Sequence, residues 1–593
     1  MNETAERLAA VRTAMAAAGL HGFIVPRADE HLGEYVPPGA ERLAWLTGFT
    51  GSAGLAVVLA DRAAVFTDGR YVLQLSVQTD PALFEPKHVV DTPAPAWIAA
   101  HAPAGARIGY DPLLVSEDGL ARYNEAGLTL VEADPNPVDI AWHDRPPPPD
   151  APAVPHGLQY AGRTSAEKRA EVAAALRTAG QDAAIVTDPA SIAWLLNIRG
   201  ADVGYTPFAL GFLLMCADET ATLFMDAGKL PADTRHWLGN AVAVQDRAAL
   251  APALAGLAGK HVRVDGAGAP AWFAQRLRAA GASVVDGADP CALPKACKNA
   301  TEQAGARAAH LRDAVAVCRF LHWLVAAAPG GITTEMAAAE RLLAFRAESP
   351  AFRGESFPAI SGAGEHGAII HYRATAASDR PLQPNEAYLI DSGAQYLDGT
   401  TDVTRTVWTG PGPASAELRD RTTRVLQGHI AIATAVFPQG VCGPHLDAFA
   451  RRALWQAGLD YDHGTGHGVG SYLSVHEGPA SLSRTGRMVP LAAGMILSDE
   501  PGFYQPGAYG IRLENLLLVR PAELPGAKKP FLAFEVLTLA PFDRRLIEPS
   551  MLAPAERQWL DAYHARVLAE VGPALDAAAQ AWLSRACRPS DHL

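Results

Sequence analysis

The sequence predicts an α/β chain, α+β in its last part, in which two related N-terminal α/β domains precede a third, mixed domain. Three observations predict it. The chain has 593 residues, 49% apolar and 19% charged, too many for one hydrophobic core and enough for about three or four domains. A helix and strand pattern near the N-terminus returns later in the chain. Beyond the second copy, short apolar strands alternate with Gly-rich turns and helices of their own.

The first copy has Leu8, Val11 and Met15 at helical spacing, a stop at Gly19 and the short apolar strand Ile24-Val25. The order returns as Val172, Leu176, Gly180, Ile185 and Val186. Ala44-Trp45-Leu46 recurs as Ala193-Trp194-Leu195, and Val65-Phe66-Thr67-Asp68 as Leu223-Phe224-Met225-Asp226. Ala-rich helices resemble one another by chance, but three matched blocks in one order favour two related domains. Between the copies, Arg145-Pro146-Pro147-Pro148-Pro149-Asp150, followed by Pro152 and Pro155, has too few backbone donors for regular structure and reads as an extended linker. A capping box, Asn299 with Glu302, opens a helix carrying Leu311, Val315, Cys318 and Leu321 and ended by Gly330-Gly331. Domains of 1–158, 159–297 and 298–593 follow, the last closing on a helix with Trp559, Tyr563, Val567 and Val571 on one face.

Lys and Arg total 50 against 63 Asp and Glu, a net charge of −13 that argues against nucleic acid or anionic membrane as a partner. Cys216, Cys291, Cys297, Cys318, Cys442 and Cys587 show no CxxC spacing, which fits neither a disulfide scaffold nor a thiolate zinc site. The start carries Glu3 and Glu6 where a signal peptide wants basic residues, and no run of 18 apolar residues occurs. The expectation is a cytoplasmic protein without a membrane span.

The chemistry lies between Ile369 and Asn515. Asp391, Asp402, Glu500 and Glu514 occupy segments that otherwise read as buried strands, and buried carboxylates need partners. A hairpin centred on Gly507 of Pro506-Gly507 places Glu500 directly opposite Glu514, with Cβ atoms about 5 Å apart. Two like charges so placed repel unless one is protonated or a cation lies between them. For the other acids, a two-residue turn at Asp398-Gly399 pairs Gln395 with Asp402 and leaves Asp391 on the same face but roughly 13 Å along the strand, so that convergence requires a bulge near Ser392-Gly393. Histidines complete the set in Asp462-His463-Gly464-Thr465-Gly466-His467-Gly468-Val469-Gly470 and Ser474-Val475-His476-Glu477-Gly478. The alternate glycines make a helix improbable there and favour a loop and strand approached closely by a ligand. Four carboxylates and one imidazole balance two divalent cations, and an oxygen-rich set favours harder ions such as Mn²⁺ or Co²⁺. Two such ions sharing a water imply hydrolysis. Taken singly, each acid is more often a cap or half of a surface pair, the reading left open for Asp398 and Glu477, and His429 and His445 receive no role.

Ala368-Ile369-Ile370-His371-Tyr372, Tyr388-Leu389-Ile390-Asp391-Ser392-Gly393, Thr401-Asp402-Val403-Thr404-Arg405-Thr406, the His463–Gly470 stretch, Asp499-Glu500-Pro501-Gly502 and Arg512-Leu513-Glu514-Asn515 resemble the motif series of the long, three-domain aminopeptidase P enzymes. These are Xaa-Pro aminopeptidases of the pita-bread metallopeptidase superfamily, and the resemblance spans essentially the whole chain. It implies two creatinase-like N-terminal domains and a pita-bread catalytic domain with a C-terminal extension. It implies that Asp391, Asp402, His467, Glu500 and Glu514 hold two divalent metal ions, Mn²⁺ foremost with Co²⁺ or Zn²⁺ as alternatives, and that Asp402 and Glu514 bridge them. By the same resemblance Glu500 shuttles the proton, His371, His463 and His476 hold substrate and stabilise the intermediate, and Arg512 is an active-site arginine, with Tyr504 a lesser candidate. The family often continues with Ala-Pro after the tyrosine, where this chain has Arg373-Ala374-Thr375. Short peptides with proline second are the implied substrates and a homodimer the implied assembly. The rivals are a prolidase confined to dipeptides, a metal-free binding scaffold, and a metal-free creatinase-type amidine hydrolase; the five ligand positions speak against the last two.

Overall fold

Helix Glu3–Ala17 buries Leu8, Val11, Ala14 and Met15 along one side, and the chain leaves it through Gly19, whose φ of +66° is left-handed. Its counterpart, Ser165–Thr178, starts at a capping box of Thr164 with Glu167 and is followed by Gly180 in the same conformation. In this computed structural model, which describes residues 3–589, the chain divides into two compact units, Met1–Ala292 and Leu293–Leu593.

The N-terminal unit contains two six-stranded sheets of the same order. The first runs Glu85–His88, Ala63–Thr67, Leu55–Leu59, Gly22–Pro26, Arg107–Tyr110, Thr129–Glu132; the second runs Val242–Gln245, Ala221–Phe224, Phe212–Cys216, Ala183–Val186, His261–Val264, Ser283–Asp286. In each, the first strand in sequence pairs antiparallel with one neighbour and parallel with the other. Successive residues serve opposite faces: Phe23, Val25 and Val65 enter one cluster, Ile24, Ala64 and Phe66 the other. Burial on both faces is why these strands read as unbroken apolar runs. The matched blocks fall on equivalent elements, Ala44-Trp45-Leu46 and Ala193-Trp194-Leu195 on helices and the strand blocks on Ala63–Thr67 and Ala221–Phe224. Residues 145–153 take no regular structure before Val154-Pro155 pairs with Ile198-Arg199.

In the second unit, Asn299 and Glu302 form the expected capping box at helix Ala300–Ala327, which ends in a short turn and Gly331 at φ +65°. Cys318 and Leu321 are buried and Leu311 is exposed. Three small sheets frame the site, Ile360–Ala363, Ala387–Ser392 and Val403–Trp408; Phe352–Glu355, Ala394–Tyr396 and Gly399–Thr400; and Val436–Pro438, Phe531–Val536, Asn515–Ala522 and Ile496–Asp499, beside the two-stranded pairs Gly466–His467 with Ser481–Leu482 and Gly502–Gln505 with Tyr509–Arg512. Helices Ala300–Ala327, Ala416–Ala433, Gly443–Trp455 and Pro554–Val571 join these strands in clusters that include Cys318, Val425, Leu446, Leu497, Leu517, Tyr563 and Val567. Among the described residues no helix is long and apolar enough to cross a membrane.

The two hairpins compare differently with expectation. Gly502 faces Arg512 and Asp499 faces Asn515, the register centred on Gly507. The other is displaced by two residues: Gln395 faces Thr400 and Tyr396 faces Gly399, so the turn is Leu397-Asp398 rather than Asp398-Gly399. The same register continues as Asp391 facing Thr404 and Ser392 facing Val403. Asp402 therefore falls opposite Gly393, two residues from Asp391 instead of four. No bulge is needed; parity is unchanged because the shift is even.

Candidate metal centre

Each acid sits where one ladder hands over to another. Asp391 lies near the end of strand Ala387–Ser392 and Asp402 in the gap between Gly399–Thr400 and Val403–Trp408; Glu500 and Glu514 fill the gaps flanking the two-stranded hairpin Gly502–Gln505 and Tyr509–Arg512. Asp391, Asp402 and Glu514 are buried and Glu500 is partly so. His467 comes from strand Gly466-His467, paired with Ser481-Leu482. One ligand atom each from Asp402, His467 and Glu514 lie within 4.8 Å of one another. His467 Nδ1 is 3.0 Å from the Gly468 carbonyl, while Nε2 lies 3.5 Å from Asp402 Oδ2 and 3.5 Å from Glu500 Oε1. With Nδ1–H donating to the backbone, Nε2 faces the carboxylates, the orientation of an imidazole ligand.

Burial and mutual repulsion raise Asp391, Glu500 and Glu514. Burial, helped by Asp402 and Glu500 and opposed by Arg512, pushes Asp391 up to about 6. Glu514 is driven far above the carboxylate range by burial and then by Asp402, Asp391 and Glu500, and Glu500 is raised chiefly by burial. Burial works against the His467 imidazolium, but Asp402 and Glu500 outweigh it and raise the ring to about 9. Asp391 Oδ1 and Asp402 Oδ1 are buried without a hydrogen-bond partner. Crowded carboxylates, orphaned oxygens and an imidazole nitrogen turned towards them fit divalent cations, which would displace the ring proton and neutralise the acids.

The other expected residues surround this cluster. Arg512 donates to Asp391 Oδ2 from Nη2 at 2.6 Å and from Nε at 3.2 Å, and to the Tyr504 hydroxyl at 2.6 Å. The Tyr504 hydroxyl is 2.9 Å from His463 Nε2, making Tyr504 the link of a chain from Arg512 to His463, more than the lesser candidate expected. His463 Nδ1 approaches Glu500 Oε2 at 4.0 Å, and the His476 ring stands edge-on to His467 with centroids 4.3 Å apart. His371 is tied to the cluster through its neighbour, since Arg512 Nη2 donates to the Ile370 carbonyl at 3.3 Å.

Sequence reasoning missed the groups that support the ligands. Thr404 Oγ1 donates to Glu514 Oε2 at 2.8 Å and Ser498 Oγ to Glu500 Oε1 at 3.2 Å. Arg405, fully buried, donates to the Glu514 carbonyl at 2.6 Å and to Asn515 Oδ1 at 2.8 Å. Buried His429 meets the Asp499 carbonyl through Nδ1 at 3.1 Å and Asn515 through Nε2 at 3.0 Å; burial lowers it to about 3. Thr404, Arg405 and Asn515 stand inside the quoted motifs and were findable by adjacency, whereas His429, on a distant helix, left no local signal. Asp398 forms the ion pair allowed for it, with Arg312 at 2.9 Å. Glu477 is instead buried between Lys298, in direct contact, and Lys295 at 3.5 Å.

The sequence matches the model of metallopeptidase family M24 over residues 304–521 and of the C-terminal region of that peptidase family over 530–590. Creatinase/prolidase N-terminal domain models match residues 7–139 and 144–302. It is 37% identical to Xaa-Pro aminopeptidase 2 of Sus scrofa, over 99% of this chain and 89% of the relative, and 38% identical to aminopeptidase P2 of Arabidopsis thaliana, over 98% and 88%. The structure superposes with a TM-score of 0.94 at 33% identity on X-prolyl aminopeptidase from Caenorhabditis elegans, a cytosolic enzyme with a di-nuclear active site, covering 99% of this chain and 100% of that one.

Proposed function

The chain belongs to metallopeptidase family M24 and, within it, to the Xaa-Pro aminopeptidases, and from that membership we infer how its residues divide the work. It is a hydrolase that releases the N-terminal residue from peptides with proline second, built from creatinase-like N-terminal domains and a pita-bread catalytic domain. An Xaa-Pro bond is a tertiary amide with no N–H, so recognition cannot depend on the scissile amide proton. When bound, two divalent ions supply Lewis acidity for the carbonyl and lower the pKa of the attacking water.

Asp391, Asp402, His467, Glu500 and Glu514 would hold the two ions, and Mn²⁺ is the proposed metal because one nitrogen stands among many oxygens. Glu500 takes a proton from the water and passes it to the proline nitrogen. His371, His463 and His476 hold the peptide and the developing negative charge, and Arg512 keeps Asp391 oriented. The domain limits 1–158, 159–297 and 298–593, short peptide substrates, a cytoplasmic location and a homodimer belong to the same proposal.

The observation that carries the ligand assignment is the meeting of Asp402, His467 and Glu514 donor atoms within 4.8 Å. The test is hydrolysis of an Xaa-Pro-Yaa tripeptide after chelation and after return of Mn²⁺, Co²⁺ or Zn²⁺ singly, beside an Xaa-Pro dipeptide. Chelation should stop tripeptide cleavage and Mn²⁺ restore it best. Full activity in the chelated protein would overturn the assignment.

A further inference from the structure

We propose that Glu335 is a positioning residue for His371, its carboxylate and Arg512 fastening the chain on either side of that histidine. The inference deepens the reading above and rests on the role given there to His371. Glu335 is the first residue of helix Glu335–Ala347 and is fully buried. Its carboxylate accepts hydrogen bonds from three points of one short segment: the Ala363 amide at 2.7 Å, His366 Nδ1 at 2.9 and 3.0 Å to its two oxygens, and the Tyr372 hydroxyl at 2.9 Å. The His366 ring lies over Tyr372, with centroids 4.5 Å apart. The backbone of the same residue is used as well, the Glu335 carbonyl accepting from Ser361 Oγ at 2.7 Å.

Beyond strand Ile360–Ala363, residues 364–372 contain only the short turn Gly364–Ala368 as regular structure, so these bonds do for the segment what a ladder does for a strand. On the other side of His371, the Ile370 carbonyl accepts from the guanidinium that holds Asp391 and Tyr504. The imidazole is thereby set between two anchors before substrate arrives, which removes from the reaction the cost of ordering it. A buried carboxylate that loses one donor keeps its desolvation penalty, so the segment is held tightly rather than loosely.

Tyr372→Phe keeps the ring over His366 and deletes one anchor; Glu335→Gln keeps the size and removes the charge. With an Xaa-Pro-Yaa peptide, Tyr372→Phe should lower kcat/KM about tenfold with full metal content and an unfolding midpoint within a few degrees of the parent, and Glu335→Gln should lower it further. Against a His371→Ala background, where residual turnover is read at high enzyme concentration, Tyr372→Phe should have no additional effect. If His371→Ala has parental kinetics, the role of His371 falls and this proposal with it. If His371→Ala is impaired but Tyr372→Phe adds its whole penalty to it, or moves only the midpoint, the role of His371 stands and positioning by Glu335 is overturned. Should Glu335→Gln fail to fold, the Tyr372→Phe cycle decides alone.

Discussion

Glu514 has one neutral donor, Thr404, and three acids pressing on it, so what it does for the centre is separable from what it does for the fold. Glu514→Ala and His467→Ala should each abolish turnover and lose bound metal while far-ultraviolet circular dichroism stays parental; near-normal activity in either would refute its place as a ligand. His463→Ala should lower turnover about 10²-fold yet retain metal, because its Nε2 is engaged by Tyr504; metal loss measured by atomic absorption would make it a ligand instead. His564 tests a different property. Its Nε2 accepts from the Phe542 amide at 3.1 Å, which requires the neutral ring, and burial, then Arg405 and Arg544, lower it to about 3. The unfolded ring titrates near about 6.5, so unfolding below that pH takes up a proton. The stability from His564 is complete above about 6.5 and is lost as pH falls towards 3, at about 1.4 kcal/mol per pH unit. His564→Gln should flatten the fall in urea stability between about pH 6 and 4.5 by one proton.

The segments bearing the histidines show why the sequence places glycines where it does. A Cβ on Gly466 would meet the Ser498 carbonyl oxygen at 1.9 Å, and one on Gly468 the Glu477 oxygen at 2.1 Å. Since both obstacles are backbone, Gly466→Ala must push the His467 strand away from the strand leading to Glu500. It should weaken metal binding at least tenfold in a competition titration with a chelator; unchanged affinity would mean the approach carries no function. This closeness was legible as a glycine run, and the register of the Glu500 and Glu514 hairpin was legible because Pro506-Gly507 marks its centre. The other hairpin was misplaced by two residues: Asp398-Gly399 has the composition of a turn, yet Asp398 is taken up by Arg312 from a distant helix. Lys298 and Lys295 around Glu477 were invisible for the same reason, partners far apart in sequence leaving no local period.

At the scale of the whole molecule, the duplicated topology of the N-terminal unit and the position of the centre in Leu293–Leu593 make metal stabilisation regional. Anything that binds only the native form raises stability, by about 2.7 kcal/mol at a hundred times Kd, but only where unfolding destroys the site. Chelation should therefore quicken amide exchange in Ala387–Ser392 and Asn515–Ala522 while leaving Gly22–Pro26 and Ala183–Val186 unchanged; uniform acceleration along the chain would show one cooperative unit. The two-fold repetition was readable because helix, Gly stop and strand recur together, whereas the assembly of the second unit's sheets was not, since strands such as Val436–Pro438 and Phe531–Val536 pair across long stretches of chain.

Each acid pair resides in a hairpin that is local in sequence, but the two hairpins are about a hundred residues apart. Local pairing closes quickly, and distant docking pays its loop entropy first. During refolding, secondary structure should accordingly appear before any capacity to capture a cation. Arrival of metal would then time the final docking step, a clock supplied by the centre itself.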